Sequence, residues 1–247
     1  MNLSISESNH LFISIFEVCN QYSDNIKIYV SKKGLHLQTT DDANISIIDI
    51  KLHYTYFDSY SCIEDKTLDF YLKDICKILK ICKKSKSVIQ IILEKEVFKI
   101  TITTNNIKKE FILTSIYTNY DLIDINTMKI NNIFSIHKDI LKSIFEDFII
   151  FTNEISIKID DTHLKFYCNN DNIKVKYDYD SRSSNNIIDT AEKIKAIFSL
   201  DYLHKFKLIS YINTNIINVR IDNDKPIFLS AKTRDSEINF ILAPKII

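Results

Sequence analysis

The chain has 247 residues, 45% of them hydrophobic, which is enough for one large domain or two medium ones with a substantial core. Its 32 basic and 32 acidic residues cancel, so attraction to nucleic acid or membrane cannot come from total charge and has to come from uneven placement. The five cysteines (Cys19, Cys62, Cys76, Cys82, Cys168) are odd in number, lie in hydrophobic patterns and lack metal-site spacing, which points to reduced, mostly buried thiols and no metal.

The opening MNLSISESNH has no basic region followed by an apolar run, and no apolar segment reaches bilayer length. The sequence therefore reads as an intracellular soluble protein. The first predicted element is a helix with Leu11, Phe12, Ile15, Phe16 and Val18 at helical spacing, and it has no lysine, only His10 beside Glu17. Short β-branched strands follow at residues 26–30 and 45–50. Next comes LKDICKILKICKKSK, the best amphipathic helix in the chain. Leu72, Ile75, Cys76, Leu79 and Cys82 fall on one side and Lys73, Lys77, Lys80 and Lys84 on the other. Four ammoniums on one stripe fit either a solvated face or a face opposite a polyanion.

Strands at 88–93 and 98–103 close the first half. The second half repeats the order: a helix with Ile140, Leu141, Ile144, Phe145 and Phe148, strands at 155–159 and 216–221, and a further helix between those strands. These helices carry fewer charges, Lys138 and Lys142 on the one, Lys205 and Lys207 on the other. The repetition is an internal duplication at an offset of 128 to 129 residues. Ser14-Ile15-Phe16-Glu17 returns as Ser143-Ile144-Phe145-Glu146, NIKIYVSKKGLHLQTTDDANISI matches EISIKIDDTHLKFYCNNDNIKVKY in pattern, and Leu72, Ile75, Lys77 and Ile78 fall opposite Leu200, Leu203, Lys205 and Phe206. The basic faces have no interleaved aromatic residues and no helix-turn-helix or zinc-finger signature, so any phosphate contact is sequence-independent.

Four ordered motifs resemble the proliferating cell nuclear antigen (PCNA) family of DNA sliding clamps. GLHLQTTDDANISIIDIKL (34–52) is similar to that family's strand-turn-strand, Phe57-Asp58-Ser59-Tyr60-Ser61-Cys62 keeps its Phe-Asp-x-Tyr-x-Cys, Lys77-Ile78-Leu79-Lys80 sits where its inner-helix lysine does, and Leu242-Ala243-Pro244-Lys245-Ile246 matches its ending. The resemblance implies an α+β clamp fold with two duplicated domains per subunit, 1–114 and 132–247, joined by a connector at 115–131. It implies a homotrimeric ring with helices lining the hole and antiparallel sheets outside, in which the edge strand at 107–114 (Ile107, Phe111, Leu113) pairs with the strand at 172–179 (Ile173, Val175, Tyr177) of the next subunit. Lys73, Lys77, Lys80, Lys84, Lys138, Lys142, Lys205 and Lys207 would then face duplex DNA.

The resemblance also places a client pocket at Thr40, Asn44, Ile45 and Ile47, with Ile123, Ile125 and Ile130 from the connector and Pro226, Ile241, Ala243 and Pro244 on the far wall. Connector aliphatics are expected to be exposed as a docking surface. Relatives often carry His where Asn44 stands, Tyr where Ile241 stands and a Gly-Ile-Pro turn that this connector lacks, so the client motif is open to change. The lysine-free first helix is a further departure. Implied partners are DNA polymerase, nuclease, ligase and clamp loader, in the nucleus, with no cofactor and no membrane. Carboxylate pairs at Asp41-Asp42, Glu146-Asp147 and Asp160-Asp161 read as turn and surface residues; no phosphate loop, nucleophile elbow or His-Glu metal motif is present, so the chain is not read as an enzyme. The alternatives are a subunit of a heterotrimeric or viral clamp, and a clamp-fold scaffold that does not close a ring.

Overall fold

A computed structural model describes the chain except residues 7–8, 85–86, 119–120, 161–162, 170–171, 181–193, 207–212 and 246–247. The first half runs β1 (Asn2–Ile5), α1 (Asn9–Cys19), β2 (Asn25–Ser31), β3 (Gly34–Thr40), β4 (Ser46–His53), β5 (Ser59–Ser61), β6 (Lys66–Tyr71), α2 (Leu72–Leu79), β7 (Val88–Glu94), β8 (Val97–Thr104) and β9 (Ile107–Thr114). The second runs β10 (Ile133–His137), α3 (Lys138–Phe148), β11 (Glu154–Asp160), β12 (His163–Asn169), β13 (Lys174–Asp180), β14 (Ile194–Ser199), α4 (Leu200–Lys205), β15 (Ile216–Arg220), β16 (Ile227–Lys232) and β17 (Ser236–Leu242).

The duplication is carried into the elements. Asn9 and Lys138 open α1 and α3, Asn25 and Glu154 open β2 and β11, Gly34 and His163 open β3 and β12, and Ile107 and Ser236 open β9 and β17; each pair is 129 residues apart. Ser46 and Lys174 open β4 and β13, and Leu72 and Leu200 open α2 and α4, both 128 apart.

Two compact units result. The first comprises Met1–Asn44, Ile48–Ile123 and Lys232–Ile238, the second Ile45–Ile47, Asp124–Ala231 and Asn239–Ile247. In the first, one antiparallel sheet has the order β5-β1-β7-β8-β9, and β4-β3-β2-β6 run side by side. Helix α1 lies beside α2. Alternation along β7 and β8 sends Ile89, Ile91, Phe98, Ile100 and Ile102 into the core, where Phe98 meets Phe70 at a centroid distance of 4.9 Å. Phe12 and Phe16 of α1, one turn apart, make an edge contact at 5.1 Å. In the second unit β13-β12-β11-β14 form one sheet, β10-β15-β16-β17 run side by side, and α3 lies beside α4. Its core holds Phe148, Phe166 and Phe198, and Phe206 stacks on Phe240 at 4.7 Å.

Two expectations are corrected. The lysine helix stops at Leu79, and Lys80–Lys84 form a 3-10 turn instead. Lys80 caps α2 by donating its N–H to the Cys76 carbonyl. The tighter turn satisfies end carbonyls, while a longer α-helix would stack Lys80, Lys83 and Lys84 on consecutive turns and add like-charge repulsion. Ile140, placed on the buried stripe of α3, is 38% exposed. The stripe of Leu141, Ile144, Phe145 and Phe148 already fills the inward arc.

Gly34, the chain's single glycine, starts β3 with φ +133°, and a Cβ there would lie 2.0 Å from the Leu52 carbonyl oxygen of β4. Both the dihedral and the backbone approach exclude a side chain. Gly34→Ala is expected to destabilise the protein by about 2–4 kcal/mol, read as a lower urea midpoint; a loss under about 0.5 kcal/mol contradicts this reading.

Candidate functional site

Three polar side chains fasten the segment that follows β9. Asp69 of β6 accepts from the Thr118 amide at 3.2 Å and its hydroxyl at 2.5 Å, and the Asp69 carbonyl accepts the Ile116 amide at 2.9 Å. The carboxylate is matched by Lys27, whose ammonium lies 2.9 and 3.0 Å from its two oxygens, and both side chains are 8% exposed. A buried pair of this kind is held by its geometry: removing either partner leaves an uncompensated charge. Farther along, Gln38 of β3, 1% exposed, donates to the Ile123 carbonyl at 2.9 Å and accepts its amide at 2.7 Å. The same Gln38 donates to buried Asp49 at 2.8 Å, which also meets His36 at 2.5 Å. At the far end Asp222 accepts the amides of Asn131 and Asn132 at 3.1 and 3.3 Å and bonds the Asn132 side chain. Lys225 bridges Asp222 and the Lys129 carbonyl, each at 2.9 Å.

Between these anchors, Asp124 caps a 3-10 turn at Ile125–Thr127 by accepting the Asn126 amide, and the turn drives Ile125 inward. Within the second unit Ile47, Ile125, Ile130, Phe228 and Ile241 form one apolar cluster, with Met128 packed against it. Four of the expected pocket residues thus come together. Ile45 (39% exposed), Ala243 and Pro244 stand on the same unit's surface, and the Ala243 amide donates to the Ile45 carbonyl at 2.8 Å.

Thr40 ends β3, Asn44 occupies an exposed turn with φ +55°, a conformation Asn tolerates, and Pro226 precedes β16 half-buried; none of these, nor Ile123, belongs to the cluster. The expected exposure of connector aliphatics is corrected as well. Ile123 is 38% exposed, but Ile125 and Ile130 are 3% and 8%, because the capped turn and the Asp222 anchor turn them into the cluster. Sequence reasoning missed Phe228 and Met128 and all three anchors; an apolar Phe next to the predicted Pro226 was the available signal for Phe228.

Lys73, Lys77 and Lys80 project from one exposed stripe of α2 and its cap. Lys77 lies 2.9 Å from Asp74, an exposed pair of small energetic weight. Lys142 is exposed, 3.7 Å from Glu146; Lys138 opens α3 partly buried; Lys205 is exposed near the Tyr202 ring. The side chain of Lys84, and Lys207 altogether, lie outside the described residues.

The strands β9 and β13 are sheet edges, paired only with β8 and β12 among the described residues. Among the other edges, β6 bridges to Ile116, β14 bonds Lys245 and the Asn223 side chain, and β5 and β10 are short, with three and five residues. Ile107 is 59% exposed, and Phe111 and Leu113 are half-buried on β9; Val175 is half-buried and Tyr177 37% exposed on β13, with Ile173 just before it. Tyr177 donates its hydroxyl to Asp147 at 2.9 Å and meets the Phe148 ring edge-on at 5.0 Å.

The family model for the N-terminal domain of proliferating cell nuclear antigen matches residues 5–131. The chain belongs to the PCNA family of DNA sliding clamps. The DNA polymerase sliding clamp of Methanothermobacter thermautotrophicus is 23% identical, covering 94% of this chain and 92% of the relative. Proliferating cell nuclear antigen 1 of Plasmodium falciparum is also 23% identical, at 94% and 92%. The crystal structure of the Entamoeba histolytica antigen superposes with a TM-score of 0.84 at 17% identity, covering 99% of this chain and 98% of that one, so the fold is the α+β clamp fold.

The PCNA-type clamps are not enzymes, and two of the carboxylates singled out in the sequence have structural partners, while the Asp160 side chain and Asp161 lie outside the described residues. Asp41 accepts the Ala43 amide in a turn, and Asp147 accepts from Tyr177 and Ser143. Burial keeps the Cys19 thiol strongly protonated and pushes Cys82 up to about 11, so neither is a thiolate at neutral pH. Burial pushes the Asp222 carboxyl up, but the Lys225 ammonium and the donors on Asn131 and Asn132 outweigh it and hold it below the ordinary carboxylate value. A depressed folded value stabilises the fold above the unfolded value and is lost as pH falls through it. The parent protein is therefore expected to lose stability below about pH 4 more steeply than Asp222→Asn, measured by urea titrations across that range; equal slopes contradict the anchor's charge.

Proposed function

We propose that three copies close head to tail into a homotrimeric ring around duplex DNA. The observation that carries this reading is the pair of open edges in a duplicated chain. The counterpart of β9 in the second copy is β17, and the counterpart of β13 in the first is β4. Those counterparts are bonded to each other at both ends: the His53 amide donates to the Asp235 carbonyl at 2.9 Å, and the Ala243 amide to the Ile45 carbonyl at 2.8 Å. In this reading β9 and β13 are two halves of the same joint, each without a mate among the described residues. A second copy supplies the mate, and a heterologous contact repeated with a closing rotation makes a ring. Pairing also removes two long edges from solvent.

In this reading the clamp domains are 1–114 and 132–247 with a connector at 115–131. Lys73, Lys77 and Lys80, with Lys84, Lys138, Lys142, Lys205 and Lys207, contact phosphates without reading sequence. Ile107, Phe111 and Leu113 meet Ile173, Val175 and Tyr177 of the next subunit. The cluster of Ile47, Ile125, Ile130 and Ile241, edged by Ile45, Ala243 and Pro244, receives the apolar side chains of client peptides from DNA polymerase, nuclease, ligase and clamp loader, in the nucleus; the contacts expected at Thr40, Asn44, Ile123 and Pro226 rest on the family resemblance alone. Holding a client beside its template raises its effective concentration without any chemistry by the clamp.

The protein loaded on a nicked circular plasmid is expected to co-elute with it in salt high enough to break exposed ion pairs, and to dissociate once the plasmid is linearised. Equal retention on circular and linear DNA, or none on either, contradicts a closed ring.

A further inference from the structure

A recess of about 510 Å³ in the first unit lies over β3 and β4 beside the turn that joins β16 to β17, and the clamp reading makes no use of it. Tyr29 and His36, paired across β2 and β3 and half-buried, form its aromatic floor, and Lys33, Lys51, Lys232 and Arg234 stand around it against only Asp235 and Glu237. The two carboxylates are already engaged: Asp235 accepts the Thr55 hydroxyl at 2.7 Å, and Glu237 lies 3.6 Å from Lys232. The other three cations have no described carboxylate partner, in a chain whose total charge is zero. This is a local positive excess around an aromatic floor.

We propose that this groove docks a short acidic peptide segment of a partner protein, with its apolar side chains on the floor and its carboxylates toward Lys33, Lys51 and Arg234. The volume lies in the range that accepts a few side chains, whereas a duplex would need an extended cationic stripe. β3 lies between β2 and β4 with its backbone bonds already used, so recognition is by side chains and not by strand addition. Complementary charge across such a surface governs partner choice and encounter rate. The proposal does not depend on ring closure.

Anisotropy of a labelled short peptide alternating Glu with Leu, titrated with the full chain at low salt, tests it. Lys33 and Arg234 are exposed, so Lys33→Glu with Arg234→Glu is expected to leave circular dichroism and elution volume unchanged and to weaken binding about tenfold or more. Glu237→Gln, which removes a carboxylate from the groove, is expected to tighten it. Failure of the parent chain to bind, or unchanged affinity in the double variant, overturns the proposal. So does displacement of the peptide by duplex DNA whose own binding falls in the same variant, which would make the groove a general polyanion surface.

Discussion

A β-strand edge is a row of backbone donors and acceptors that must find partners, and among the described residues the two longest such rows without a neighbour are on β9 and β13. Because the chain is a duplication, the same row is satisfied internally where β4 and β17 meet, as the bonds His53 to Asp235 and Ala243 to Ile45 record. One joint geometry therefore occurs once inside the subunit and, in the proposed ring, once more between subunits. Fold and assembly follow from a single pairing rule applied to a repeated sequence. Edge chemistry agrees with it: apart from Lys108, Lys109 and Glu110, the side chains of β9 are apolar or Thr, and the charged Glu110 is drawn toward Lys99 and Lys108 at 3.0 Å each.

The connector poses a different problem, since a segment without regular structure has to present apolar residues without collapsing. Asp69, Gln38 and Asp222 solve it by gripping backbone groups at Ile116–Thr118, Ile123 and Asn131–Asn132. Each grip satisfies a polar group that would be costly to leave bare. With its backbone fixed at these points, the segment can turn Ile125 and Ile130 inward and leave Ile123 partly outside. In the proposed reading, such a pre-organised apolar surface loses less freedom on binding a client peptide.

The duplication and the four helices were legible in the sequence, because periodicity and a constant offset survive the replacement of most individual residues, while the two edge strands came through the family resemblance. Ile47, Ile125, Ile130 and Ile241 were also placed together, through resemblance and not through pattern. The anchors were not legible: Gln38 and Asp69 sit within strands, where a polar residue ordinarily marks the solvent face, and only the fold reveals that they are buried against connector backbone. Phe228 was hidden for a related reason, since a buried Phe on a strand is indistinguishable from core until its neighbours are known. The end of α2 depended on a local balance between lysine repulsion and end-carbonyl satisfaction that helical periodicity does not register.

The most direct test is the absolute mass of the purified protein by light scattering on a sizing column, across a dilution series at physiological salt. With a subunit of 29.0 kDa, the proposed ring of three copies joined β9 to β13 predicts a species of roughly 87 kDa. A species that remains at 29.0 kDa throughout the series would contradict the joint, and the homotrimeric ring with it.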